Sequence, residues 1–95
     1  MVLTQDEIRD IVLPLLDRYD MKSASLFGSY ARGDADEGSD IDVLLVGNEG
    51  FRPSGIFGLA EELHRQSGKA VDVYEQSELS PGPFRDAVYK ELVLL

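Results

Sequence analysis

Residues 23–33 read Ser23-Ala24-Ser25-Leu26-Phe27-Gly28-Ser29-Tyr30-Ala31-Arg32-Gly33, and after a short gap residues 39–47 read Ser39-Asp40-Ile41-Asp42-Val43-Leu44-Leu45-Val46-Gly47. The first stretch puts Leu26 and Phe27 directly before Gly28-Ser29, which suits a short strand (23–27) ending in a tight turn. The second holds a β-branched and leucine run, Ile41 to Val46, closed by a glycine; it reads as a strand buried on at least one face. Between them Gly33 to Gly38 is a polar, acidic loop, too brief for an ordinary helical crossover. The sheet that contains these two strands is therefore expected to be mixed rather than wholly parallel.

Upstream, Thr4-Gln5-Asp6-Glu7 has the spacing of a capping box, in which the Thr hydroxyl and the Glu carboxylate each satisfy a backbone N–H. Ile8, Ile11, Val12, Leu15, Leu16 and Tyr19 then form the apolar stripe of an amphipathic helix. Pro14 lies inside that stripe and is expected to kink or split the helix. Downstream, Ser54 can cap a helix whose buried stripe is Ile56, Leu59, Ala60 and Leu63 and which ends near Gly68. A third strand follows at Ala70 to Tyr74. Pro81-Gly82-Pro83 is a turn, and Phe84, Ala87, Val88 and Leu92 mark a last helix before the apolar tail Val93-Leu94-Leu95. The order predicts an α/β (α+β) fold: one small domain over 1–95, with a three-stranded mixed sheet flanked by helices.

Composition narrows the function. The 95 residues carry 18 acidic and 9 basic side chains, a net charge of −9. The cations are scattered singly, so a groove tracking a nucleic-acid backbone is not expected. Without cysteine there is neither a disulfide nor a thiolate metal site. No apolar run approaches the ~18 residues of a membrane span, and no signal peptide is legible at the N-terminus. A cytoplasmic location is the expectation. A chain this long buries roughly 60–70% of its unfolded surface, enough for one core but not for a separate acceptor domain.

The chemistry concentrates at the second strand. Asp40 and Asp42 sit two residues apart, so strand periodicity points both carboxylates to one face. Two like charges beside Val43, Leu44 and Leu45 call for a counter-charge, and a divalent cation supplies it economically. Oxygen ligands with no Cys and only a distant His64 select Mg²⁺ or Mn²⁺ over Zn²⁺. Asp72, in the third strand, joins them if the two strands are neighbours, and three carboxylates can hold two metal ions about 3.5–4 Å apart. Gly28-Ser29 can bring backbone N–H groups and a hydroxyl to phosphate oxygens, and Arg32 can add a bidentate donor. The competing readings are blander: Arg32 as a neutraliser of Asp34, Asp36 and Glu37, Tyr30 as a spacer rather than a pocket edge, and the other tyrosines and His64 as packing or surface residues.

Gly28-Ser29-Tyr30-Ala31-Arg32-Gly33, five residues, then Ser39-Asp40-Ile41-Asp42 resembles the signature of the DNA polymerase beta-like nucleotidyltransferase superfamily, and within it the minimal nucleotidyltransferase (MNT) branch. The resemblance implies that Gly28 and Ser29 contact a nucleoside triphosphate, that Arg32 neutralises it, and that Asp40 and Asp42 bind two Mg²⁺ ions. Asp72 would correspond to the carboxylate that activates the acceptor hydroxyl and completes the metal site. Members of this branch are often encoded beside a HEPN-domain ribonuclease and act as its antitoxin. The resemblance therefore implies transfer of AMP from ATP to a tyrosine of a HEPN partner; the sequence leaves open whether the chain forms a homo- or hetero-oligomer. The alternatives are a non-catalytic module that neutralises a toxin by occlusion, and transfer to a small molecule.

Overall fold

The computed structural model describes all residues, Met1–Leu95. In chain order the elements are α1 (Gln5–Arg18), β1 (Met21–Phe27), α2 (Gly28–Arg32), β2 (Ile41–Gly47), α3 (Pro53–Ser67), β3 (Val71–Glu75), a 3₁₀ turn (Gln76–Glu78), α4 (Pro83–Glu91) and β4 (Val93–Leu94). The capping box forms as expected: Thr4 Oγ1 accepts from the Glu7 N–H at 3.0 Å, and Glu7 Oε1 accepts from the Thr4 N–H at 2.9 Å. Helix α1 is not split by Pro14. Pro14 and Asp10, whose carbonyl loses its intrahelical donor, are both on the exposed face, where water can serve that carbonyl. Ser54 is not the cap of α3. Arg52 occupies that position and Pro53 follows as the first helical residue, where its missing N–H costs nothing.

The strands form one sheet in the order β3-β2-β1-β4. It has four strands, not the three expected. Strands β1 and β2 are antiparallel, and β2 and β3 are parallel with α3 as the crossover, so the sheet is mixed as predicted. The extra strand is the apolar tail, pairing antiparallel with β1 through Ser25↔Leu94 and Leu26↔Val93. Two residues are too few to show a period of two, and their partner lies far away in sequence. The tail divides its side chains: Val93 and Leu95 pack on the core, while Leu94 is 71% exposed.

Alternation along the strands separates two faces. Ala24 and Leu26 of β1, Ile41, Val43 and Leu45 of β2 and Val71 and Val73 of β3 meet Ile8, Val12 and Leu15 of α1 and Ile56, Leu59 and Leu63 of α3. This is the main core. On the other face Phe27 and Leu44 pack with Leu79 and Val88, with Tyr74 and Leu92 beside them. The second face is only partly covered, and its uncovered remainder carries Asp42 and Asp72.

Two buried polar groups shape the ends of the sheet. Glu75, 3% exposed, accepts from the Gly47 N–H at 3.0 Å and the Ser77 N–H at 2.9 Å, and also takes the Ser77 hydroxyl. Burial pushes its carboxyl up, but these hydrogen bonds outweigh it and hold the group below the usual glutamate range. Tyr30 points the other way from the carboxylates: it is 3% exposed in the main core, and its hydroxyl is buried without a partner. It does not edge a nucleotide pocket. Tyr30→Phe, by removing an unpaired buried hydroxyl, is expected to raise stability by about 1 kcal/mol, read as a higher melting temperature. A lower one would mean that the hydroxyl has a partner after all.

Candidate active site

Asp42 and Asp72 are paired residues of the parallel strands β2 and β3, so their side chains leave the same face side by side. Asp40 precedes β2 and is exposed; Asp72 is exposed and Asp42 is half-buried. Burial, first, pushes the Asp42 carboxyl up to about 6, followed by the negative charge of Asp72, a hydrogen bond shared with it, and the charge of Asp40; Arg32 opposes this weakly. Strand pairing, which the sequence could not show, brings Asp72 to Asp42.

Gly28 sits directly against Asp42. Its φ is +72°, in the left-handed region, and a Cβ built on it would fall 2.2 Å from Asp42 Oδ2. Only glycine serves here, for the backbone angle and for the space. From Gly28 the chain turns into α2, which ends at Gly33 in the left-handed conformation. Helix α2 places Ser29 next in line and carries Arg32 in its last turn, near enough for its charge to reach Asp42 weakly.

Arg32 is engaged: its Nε donates to Asp34 Oδ2 at 3.1 Å and its Nη1 to Glu91 Oε1 at 2.8 Å. These partners raise its pKa, Glu91 most, so it stays a cation. The pairing with Asp34 matches the blander reading of this arginine in part, and Asp36 and Glu37 take no share in it. Glu91 was not singled out from sequence, although its other oxygen accepts the Gly28 N–H at 2.9 Å. A signal was present. Phe84, Ala87, Val88 and Glu91 fall at offsets 0, 3, 4 and 7, which puts a carboxylate on the inward stripe of the last helix.

No group of three or more His, Cys, Asp or Glu side chains converges closely enough to hold a metal ion as they stand. The donor chemistry nevertheless fits a hard divalent cation: oxygen-only ligands, one of them a carboxyl that burial first, and then the charges of Asp72 and Asp40, push up to about 6. The cavities of the molecule lie elsewhere, and none is lined by Asp40, Asp42 or Asp72. The carboxylates stand on open sheet surface.

Residues 6–95 match the family model described as a nucleotidyltransferase domain. The chain belongs to this family. The nucleotidyltransferase domain is 38% identical over 88 residues to a Methanocaldococcus jannaschii protein described as a candidate protein adenylyltransferase, covering 93% of this chain and 94% of that one. It is 33% identical over 96 residues to the protein adenylyltransferase MntA of Thermococcus cleftensis, covering 97% and 96%. Among solved structures it resembles a candidate minimal nucleotidyltransferase, with a TM-score of 0.80, 33% identity and 95% and 91% of the two chains covered. A chain of the complex between a tri-AMPylated HEPN toxin of Shewanella oneidensis and an MNT antitoxin shares the fold at 19% identity, with a TM-score of 0.70 over 96% of this chain and 71% of that one. The resemblance drawn from the Gly-Ser and Asp-x-Asp stretches is thus to the right family. Tyr74 packs with Phe27 and Phe84, Tyr89 lies on the surface under Arg85, and exposed His64 meets the Lys69 carbonyl through Nδ1 at 2.7 Å, so none of them joins the site. No helix is long and apolar enough to cross a membrane.

Proposed function

We propose that this nucleotidyltransferase moves AMP from ATP, with Mg²⁺, to a tyrosine hydroxyl of a HEPN-domain partner and thereby acts as its antitoxin. The observation that carries the reading is the strand-paired carboxylates Asp42 and Asp72, with Asp42 against Gly28 at the start of a turn that also carries Ser29 and Arg32. Kinship with proteins named as protein adenylyltransferases supports the reaction, and the shared fold of a HEPN toxin complex supports the partner. The open surface around the carboxylates suits an acceptor that arrives on another protein and covers the site itself.

Asp40 and Asp42 would hold the cation, with Asp72 completing the set. Bound there, Mg²⁺ supplies positive charge that relieves the carboxylate repulsion and polarises the α-phosphate. Gly28, its own N–H taken by Glu91, lets the turn come close to the triphosphate, Ser29 binds it through its backbone N–H and hydroxyl, and Arg32 neutralises the charge that builds on the leaving group. Asp72, the more exposed member of the pair, receives the proton of the acceptor hydroxyl. The acceptor oxygen bonds to the α-phosphorus in line as the bond to the bridging α–β oxygen breaks, and pyrophosphate departs.

The test is incubation with α-³²P-ATP, Mg²⁺ and the product of the neighbouring gene, expected to be a HEPN-domain protein. Label on the partner's tyrosine with release of pyrophosphate is the expected result. A tight complex with neither label nor pyrophosphate would establish occlusion instead, and pyrophosphate release without any protein acceptor would point to a small molecule.

A further inference from the structure

Glu91 is the last residue of α4, and both oxygens of its carboxylate are committed to the nucleotide-side turn: Oε2 to the Gly28 N–H at 2.9 Å and Oε1 to Arg32 Nη1 at 2.8 Å. The same glycine meets Asp42 on its Cα side. Gly28 is therefore held from two directions, its amide by a carboxylate from the C-terminal helix and its Cα against a carboxylate of the sheet. A five-residue helix such as α2 cannot hold its own shape, because nucleation costs more than its few hydrogen bonds return. Its middle is fixed by Tyr30 in the core and by Gln5 Nε2, which donates to the Tyr30 carbonyl at 2.9 Å. Its first residue and its arginine are fixed by Glu91.

We infer that Glu91 is a positioning residue for nucleotidyl transfer, setting the Gly28 amide and the Arg32 guanidinium at a defined place relative to Asp42 so that the triphosphate meets a preformed turn. The inference rests on the proposed function. Positioning is compatible with phosphate binding by the same arginine. Asp34 takes Nε and Glu91 takes Nη1, which leaves the Nη2 end of the five-donor fork for a phosphate. Arg32 first, then the Gly28 N–H, keep the Glu91 carboxyl below the usual glutamate range, so the tether stays charged at neutral pH.

The test compares the full chain with Glu91→Ala, Glu91→Gln and Glu91→Asp by three readouts: steady-state transfer, titration with ATP and Mg²⁺, and the backbone amide resonance of Gly28. In Glu91→Ala the apparent KM and Kd for ATP are expected to rise about ten- to a hundredfold, and the Gly28 amide to move upfield as it loses its acceptor. Glu91→Gln, whose side-chain oxygen still accepts from Gly28 but no longer pairs with Arg32 as a charge, should restore the Gly28 resonance and only part of the affinity. An unchanged or lower KM in Glu91→Ala overturns the inference, since the carboxylate would then compete with the triphosphate. Should Glu91→Ala not fold, Glu91→Asp, one methylene short, decides: wild-type ATP affinity in that variant also overturns it. A wild-type protein that binds ATP without transferring AMP sinks the proposed function, yet the titration and the amide resonance still decide the role of Glu91.

Discussion

Asp42→Asn is expected to lower label transfer about 10³-fold or more while making the metal-free protein more stable, not less. The two effects share one cause. Asp42 is crowded by burial, Asp72 and Asp40, and its carboxyl is pushed up to about 6 from an ordinary 3.8. A carboxyl raised in the folded state contributes stability that is full below its unfolded pKa and lost as pH climbs through the folded value, here between about 4 and 6. At pH 7 the wild type therefore bears the cost of the ionised, repelled carboxylate. Partial exposure discounts the full shift, leaving about 1–2 kcal/mol. Asparagine keeps the shape and removes the charge. Urea unfolding at pH 7 without metal should show Asp42→Asn ahead by that amount, with the gap roughly halved at pH 5 and closed near pH 4. Added Mg²⁺ should raise the melting temperature of the wild type and leave the variant unmoved. Wild-type transfer in Asp42→Asn, or a variant that is less stable at pH 7, would sink the carboxylate assignment.

Gly28→Ala is expected to fail on both counts, losing about 2–4 kcal/mol of stability and about 10²-fold in transfer. The added Cβ meets Asp42 Oδ2 at 2.2 Å and Asp42 Cγ at 3.2 Å, at a φ of +72° that disfavours any side chain. The atom it strikes is a group of the site, so relief requires Asp42 or the turn to shift. Moving the turn also pulls the Gly28 N–H from Glu91. Gly33→Ala is the matching control: its φ is +84°, but a Cβ there has nothing within 4 Å, so it bears the backbone strain alone. Equal losses in the two variants would mean that the contact with Asp42 contributes nothing.

How far the site was legible depended on how local each part is. The capping box, the stripe of α1 and the β-branched run of β2 are patterns of near neighbours, and they formed where the residues indicated. Pro14 and Ser54 misled because a rule of local propensity met a tolerant context: an exposed helix face in one case, a proline already suited to the first helical position in the other. Strand β4 escaped because its hydrogen bonds go to β1, and two residues carry no period of their own. Tyr30 looked like part of the turn because it lies inside it; the direction of a side chain from a five-residue helix follows from packing, and packing took it to the core.

The sequence by itself determined the order of the three long helices and of the three longer strands, the mixed character of the sheet, and the Gly28-Ser29 and Asp40-x-Asp42 stretches that mark the family, because each rests on residues close together along the chain. Tertiary structure decided what lies far apart. The parallel register of β2 and β3 set Asp72 beside Asp42, and the return of α4 to the start of α2 set Glu91 on Gly28 and Arg32. These long-range choices follow from burying the apolar stripes of the helices against the sheet, a sum over the whole core that no single stretch of sequence contains.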